Sequence, residues 1–315
     1  MKIRNTCIVG GSGFVGAAVA AQLAGRGIKV RVLTRRRPPA MALAVLPTVE
    51  LMVTNPHHTA TLARAFEGMD AVVNLVGILH ETGRQSFRGC HVELPTRVAE
   101  ACRSAGVRHL VHMSALGASE SGPSEYLRTK AQGEAAVKDD AGILPVTIFR
   151  PSVMFGEDDR FLNMFATLLR LFPLIPLGGA HARFQPVWVN DVARCISECL
   201  GESRHFGKVY SLCGPKAYTL EELVRFVGAT IGKPRRVWAL PGALASLQAF
   251  ALEHLPGKLM TRDNLRSMSL DNTCPGPFPA VFGFQPSALE AIVPAYLAAT
   301  LARARYARYR QNAGR

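Results

Sequence analysis

In the first half of the chain, short runs that are apolar throughout alternate with stretches in which apolar residues return every three or four positions. The run Ile3 to Val9 predicts a strand, and the Ala-rich stretch Phe14 to Ala24 predicts a helix. Further strands are expected at Lys29 to Leu33, Val49 to Val53, Ala71 to Val76, Leu110 to Met113 and Val146 to Phe149. Helices are expected between them at Thr59 to Phe66, Pro95 to Ser104 and Glu125 to Lys138. Strands without a polar side need cover on both faces, and the intervening helices supply it, so the pattern implies a parallel sheet. Right-handed crossovers then give a doubly wound α/β architecture.

Beyond Pro151 the alternation weakens. Phe161 to Phe172, Val192 to Leu200 and Leu220 to Ile231 read as helices and Val209 to Leu212 as a strand, which suggests a smaller C-terminal α/β cap. The expected division is therefore residues 1–152 for the sheet and 153–315 mostly for the cap, with some later elements returning to the sheet. A length of 315 residues suits one large domain with an appendage. Two apolar-faced helical segments, Ala243 to Leu255 and Ala295 to Arg310, read either as cap packing and a solvated terminal helix or as a contact for lipid or quinone.

Nearly half of the residues are apolar, so the chain can bury a sizeable core. Its net charge of +14 suits a nucleic acid, an anionic lipid or an anionic cofactor. No nucleic-acid-reading module is visible. The basic residues are spread out apart from Arg35-Arg36-Arg37 and Arg303, Arg305, Arg308 and Arg310, so no nucleic-acid partner is expected. Seven cysteines without framework spacing point to a reducing compartment, and Cys195 and Cys199, one helical turn apart, read as packing residues rather than metal ligands. With no leader pattern and no apolar span near ~20 residues, the expected location is cytoplasmic, either soluble or peripheral at the inner face of a membrane. The pattern fixes no oligomeric state.

The chemistry starts at Gly10-Gly11-Ser12-Gly13-Phe14-Val15-Gly16, where the first strand becomes the first helix. Glycines in that context allow a tight turn at Gly10, a phosphate approaching the backbone at Gly13 and close helix packing at Gly16. The first helical amides, near Ser12, Phe14 and Val15, then face an anion, as in a Rossmann dinucleotide fold. After the second strand, an acidic residue would bind the adenosine ribose of NAD, but this chain reads Thr34-Arg35-Arg36-Arg37. Guanidinium groups there suit a 2′-phosphate, so NADP(H) is favoured, NAD(H) remains open, and a solvated basic turn is the plainer reading. Asn55 falls where the adenine is expected, and Val76-Gly77 closes the fourth strand beside the cofactor ribose. Tyr126 and Lys130 share one helical face, where an ammonium would lower the phenol pKa and bind the nicotinamide ribose while the tyrosine acts as acid or base.

With Gly10, Gly13, Gly16, Tyr126, Lys130 and the strand exit Arg150-Pro151, the chain resembles the short-chain dehydrogenase/reductase superfamily, in its extended and atypical branches, which include NAD-dependent epimerase/dehydratase-like proteins. The stretches Tyr126 to Glu134, Arg150 to Asn163 and Gln185 to Val192 are similar to the nucleotide-binding accessory subunit family of respiratory complex I and its bacterial relatives. That resemblance implies a bound nucleotide, Pro151 beside it, and work near quinones or lipids. It also exposes a departure. The position that carries the superfamily's catalytic hydroxyl falls on Leu116, which cannot donate a hydrogen bond, leaving Ser114, one side-chain repeat earlier, or else Ser119 or Ser121 to supply it. The implied activity is an NADP(H)-dependent oxidoreductase acting on a carbonyl, alcohol or quinone-related lipophilic substrate. The alternative is a nucleotide-holding subunit, or an assembly or quinone-biosynthesis factor, in contact with a membrane respiratory complex. A sugar-nucleotide epimerase or dehydratase is the weakest reading.

Overall fold

The computed structural model describes residues 1–36, 38–83, 85–138, 142–255 and 257–298. Two compact units divide the chain: the first comprises Met1–Pro151, Val189–Leu212 and Pro279–Phe284, and the second Ser152–Trp188, Cys213–Phe278 and the residues from Gln285 onward.

The first unit is built from β1 (Asn5–Val9), α1 (Phe14–Gly25), β2 (Lys29–Thr34), β3 (Val49–Val53) and α2 (Thr59–Phe66). It continues with β4 (Ala71–Asn74), α3 (Leu94–Ser104), β5 (His109–Met113), α4 (Glu125–Val137) and β6 (Val146–Pro151). With the later strand Val209–Leu212 these form one parallel sheet of seven strands, in the order Val209–Leu212, β6, β5, β4, β1, β2, β3. The doubly wound α/β expectation holds. The strands are buried because they lie between helices: Cys7, Ile8 and Val9 of β1 and Val72 and Val73 of β4 have no exposed surface. On one face Phe66, Leu94 and Val98 close the core over Val9 and Leu110. Each such side chain contributes about 1.5–3 kcal/mol by leaving water.

Strand order reverses at β1, with β2 and β3 on one side and β4 to β6 on the other. The crevice at such a switch point opens at the carboxyl ends of the strands, where ligands of open α/β sheets bind. Here those ends are Val9 and Asn74, paired in register. A π-helical turn, Gly89–Glu93, precedes α3 and touches α4 backbone to backbone, since a Cβ on Gly133 would stand 2.0 Å from the His91 carbonyl oxygen.

The second unit has helices at Phe161–Leu171, Leu220–Thr230, Gly242–His254, Arg262–Ser267 and 289–298. Three two-stranded pairings accompany them: Met154–Phe155 with Val187–Trp188, Arg183–Phe184 with Tyr218–Thr219, and Leu174–Leu177 with Arg236–Ala239. Its core gathers Phe155, Leu162, Phe165, Leu223 and Val227. Five cysteines are buried free thiols, while Cys213 and Cys274 form a disulfide across 61 residues, a pairing that the cysteine count did not suggest. Of the helix expected at Ala295 to Arg310, residues 299–310 lie outside the described residues, as does Arg37. Among the described residues no helix is long and apolar enough to cross a membrane.

Candidate functional site

At the end of β1 the chain turns through Gly10, whose φ of +84° suits glycine. The turn lies against the end of β4: a Cβ on Gly10 would stand 3.0 Å from Val76 Cγ2 and 3.2 Å from the Val76 amide nitrogen. The close packing expected of Gly16 is also present, but its partner is the loop, because a Cβ there would stand 2.5 Å from Gly11 Cα and 2.6 Å from the Gly10 carbonyl oxygen. Gly13 begins α1. No side chain caps that helix and no acidic residue stands in its first turn, so nothing in the helix itself neutralises the positive end of its dipole. Gly13 is exposed there, with Ser12, Phe14 and Val15 half-buried around it.

The end of β2 is fastened to this loop. The Thr34 hydroxyl lies 3.0 Å from Ser12 Oγ and 2.8 Å from the Arg36 carbonyl oxygen, which leaves Arg35 and Arg36 exposed at the rim. Burial lowers the pKa of His57 and raises that of Cys90; the positive charge of Arg35 adds to the first shift and opposes the second. Asn55 is exposed, and its side chain accepts from the His57 amide at 3.2 Å, so its carboxamide oxygen shapes the turn into α2.

On the other side of the crevice, Ser124 caps α4 by accepting from the Leu127 amide at 3.2 Å, which puts Tyr126 in the first turn and Lys130 one turn later. The Lys130 ammonium donates to the Met113 carbonyl at 3.2 Å, and a Cβ on Gly77 would stand 3.0 Å from its Nζ. Burial pushes Lys130 down to about 8, opposed by the negative charge of Glu134 and by the Cys90 sulfur. Glu134 itself is held by Arg150 on β6 through two hydrogen bonds of 2.7 and 2.6 Å.

Tyr126 is half-buried, edge-on to His91 and Phe87 at ring-centroid distances of 5.5 and 6.1 Å. Burial pushes its phenol up to about 12, with no lowering by Lys130, so the expected acidification by the ammonium is not seen. Ser114, just past β5, is buried and its Oγ has no hydrogen-bond partner among the described residues, a state that buried hydroxyls rarely keep. Leu116 is also buried, and its amide donates to the Pro151 carbonyl at 3.0 Å, so Pro151 is fastened to the loop that carries Ser114.

Several residues here had no signal of their own in the sequence. His91 accepts from the Ile78 amide at 3.1 Å through Nε2, which leaves its Nδ1 proton for Thr129 Oγ1 at 3.0 Å. Desolvation, reinforced by the charge of Lys130, lowers its pKa to about 2, so it stays neutral and braces the segment after β4 against α4. His112 plays a similar part, with Nδ1 3.2 Å from the Asn74 amide nitrogen. The crevice ends of β1, β4 and β5 thus gather Gly10, Val76, Gly77, Lys130 and Ser114, with the arginine rim at β2. Among the described residues no group of three or more His, Cys, Asp or Glu is placed to hold a metal.

Residues 6–213 match the model of the NAD dependent epimerase/dehydratase family. The chain is 31% identical over 259 residues to NADH dehydrogenase (ubiquinone) 1 alpha subcomplex subunit 9 of Arabidopsis thaliana mitochondria, covering 80% of this chain and 64% of that protein. It therefore spans less than two thirds of the length of that relative. It is 28% identical over 240 residues to the ceramide reductase of Caulobacter vibrioides, covering 74% of this chain and 73% of that protein. Among solved structures, the NADPH-dependent quinone oxidoreductase of Escherichia coli in complex with NADPH shares the fold, with a TM-score of 0.72, 19% identity and coverage of 93% and 99%.

Proposed function

The chain belongs to the NAD dependent epimerase/dehydratase family, and from that premise we propose that its first unit binds NADP(H) and reduces the carbonyl of a lipophilic substrate. The observation that carries this reading is the Lys130 ammonium, buried at the switch point across from the uncapped start of α1. A buried cation costs stability unless it is paired, and a nucleotide there would supply the missing acceptors.

The residues present fit such a group. The amides at Gly13, Phe14 and Val15 would receive its diphosphate, with Gly10, Ser12 and Gly16 shaping the loop. Arg35 and Arg36 would pair with a 2′-phosphate, and the absence of a carboxylate at that rim removes the usual preference for NAD(H). Asn55 would border the adenine. Val76, Gly77 and Lys130 would hold the nicotinamide ribose, with Pro151 beside the ring. When bound, the nicotinamide supplies the hydride.

The protein's own part is the proton. With its pKa pushed up to about 12, Tyr126 keeps its phenolic proton throughout the neutral range and is suited to donate it to a carbonyl oxygen, the reductive direction. The unpartnered Ser114 hydroxyl would hold that oxygen by a second hydrogen bond, a role that Leu116 cannot fill. The ceramide reductase relative supports a lipophilic substrate.

A second reading, a nucleotide-holding subunit of a respiratory complex without turnover, is favoured by Leu116 and by the mitochondrial relative. Mass spectrometry of nucleotide released from the purified protein, followed by turnover assays with aldehydes, ketones and quinones, separates the two. The enzyme reading requires NADPH oxidation that Tyr126→Phe abolishes; retained NADPH that no acceptor oxidises supports the subunit.

A further inference from the structure

The second unit turns an apolar surface outward. In the parallel ribbon formed by Leu174–Leu177 and Arg236–Ala239, the register pairs Leu174 with Arg236 and Pro176 with Trp238. The inward face is packed in the core through Ile175, Leu177, Val237 and Ala239. The outward face exposes Leu174, Pro176, Arg236 and Trp238, the tryptophan at 51% of its surface. Just before the ribbon, Leu171 and Phe172 are exposed at 68% and 50%.

The helix Gly242–His254 continues this surface. Its small residues Ala245 and Ala249 face inward, and its larger residues Leu244, Leu247 and Phe250 face outward. Gln248 binds it to the ribbon, donating to the Pro176 carbonyl at 2.7 Å and accepting from the Gly178 amide at 3.0 Å. Glu253, the acidic residue of this helix, is engaged by Arg262 at 2.8 Å, and the same guanidinium lies 5.2 Å from the Phe250 ring centroid. A contiguous exposed patch of this kind marks an interaction surface rather than chance exposure.

The charge around the patch identifies what it meets. From Arg160 to Asn190 and from Leu223 to Leu252 the sequence contains no Asp or Glu, while Arg170, Lys233 and Arg236 are exposed and Arg235 is half-buried. Arg235 reaches the Leu169 carbonyl at 3.3 Å, which fixes the start of its strand beside the end of the helix Phe161–Leu171. Leucines and aromatics set among cations match a bilayer surface, where the side chains enter the acyl boundary and the cations meet lipid phosphates. A symmetric contact with a second copy would instead press these cations against one another.

We propose that the outward face formed by Leu171 to Leu174, Trp238 and the helix Gly242–His254 docks on the surface of an anionic phospholipid bilayer. This docking is independent of whether the first unit turns over substrate. The test is flotation of the purified full chain with vesicles of phosphatidylcholine alone or with added phosphatidylglycerol, at low and high salt. Binding is expected only with phosphatidylglycerol, and it should weaken as salt screens the cations. Neutralising Lys233 and Arg236 to Gln should each weaken it about fivefold, and Leu247→Glu should abolish it. All three sites are exposed, so an unchanged far-UV circular dichroism spectrum and urea midpoint confirm that these variants still fold. The proposal fails if the wild type does not float, if it binds both vesicles equally, or if Leu247→Glu leaves flotation unchanged. It fails equally if the wild type is a dimer that Leu247→Glu dissociates and the dimer does not float.

Discussion

Lys130 is the group whose replacement separates stability from function most sharply. Burial lowers its pKa from 10.5 to about 8, so below pH 8 the folded protein carries an ammonium that is poorly solvated. A tenfold change in a protonation equilibrium is worth about 1.4 kcal/mol, which puts the cost of keeping that charge at neutral pH at about 3 kcal/mol. Below pH 8 both states hold the Lys130 proton and the penalty against the folded state is full and constant; between pH 8 and 10.5 the unfolded chain holds that proton and the folded chain does not, so the penalty is relieved across that window. The sign follows from proton binding: where the unfolded state binds more protons, stability rises with pH, and the rise is complete above the unfolded value. Lys130→Met keeps the length of the side chain and removes the charge. Urea unfolding of both proteins from pH 7 to pH 10 isolates the effect, since every other titrating group cancels in the difference. The variant should be the more stable at pH 7, with the difference moving toward the wild type by about 3 kcal/mol at high pH. It should also lose NADPH affinity at pH 7. A difference that stays flat with pH, or a variant that binds NADPH as the wild type does, would refute the reading of Lys130 as a buried cation waiting for a nucleotide.

Three further outcomes are expected. Because the Tyr126 phenol sits near 12, carbonyl reduction should be flat with pH through the neutral range, and Tyr126→Phe should lower kcat by about 100-fold or more while nucleotide affinity is kept; steady-state rates and a binding titration check both. Gly16→Ala places a methyl 2.5 Å from backbone and should destabilise the first unit by about 1–3 kcal/mol, whereas Gly13→Ala, with its nearest contact at 3.3 Å, should weaken nucleotide binding and leave the urea midpoint almost unchanged. Replacing Cys213 and Cys274 together by Ser should cost the second unit about 2–4 kcal/mol, seen as a lowered thermal midpoint under oxidising conditions and as no change under reducing ones.

Much of the sheet was legible because its strands are apolar throughout and its turns are marked by glycine. Val49–Val53, Thr59–Phe66 and Val209–Leu212 have the expected bounds. Others shift by a few residues where tertiary contacts decide. β4 stops at Asn74, whose side chain turns to His112, although Leu75 and Val76 continue the apolar run. The helix expected from Val192 starts at Val189, so Asp191 stands inside its first turn. The three short pairings of the second unit are too brief to show a period, apart from the four-residue ribbon, whose Pro176 and Trp238 interrupt any simple alternation. At the crevice, glycine spacing and the four-residue step from Tyr126 to Lys130 were visible from the order of residues alone. His91 was not, because its role depends on a π-helical turn meeting Gly133, a contact between positions far apart in the chain. The raised phenol of Tyr126 was equally hidden, since desolvation has no signature in spacing.

The preference at the arginine rim is read most directly by parallel fluorescence titrations of NADPH and NADH against the wild type and Arg35→Glu. The wild type should bind NADPH the more tightly, and Arg35→Glu should cut that advantage by about ten- to a hundredfold, the worth of a charge-assisted contact, while NADH affinity barely changes. Absence of binding by either nucleotide, or an equal loss for both in the variant, would contradict a dinucleotide held with its 2′-phosphate at Arg35.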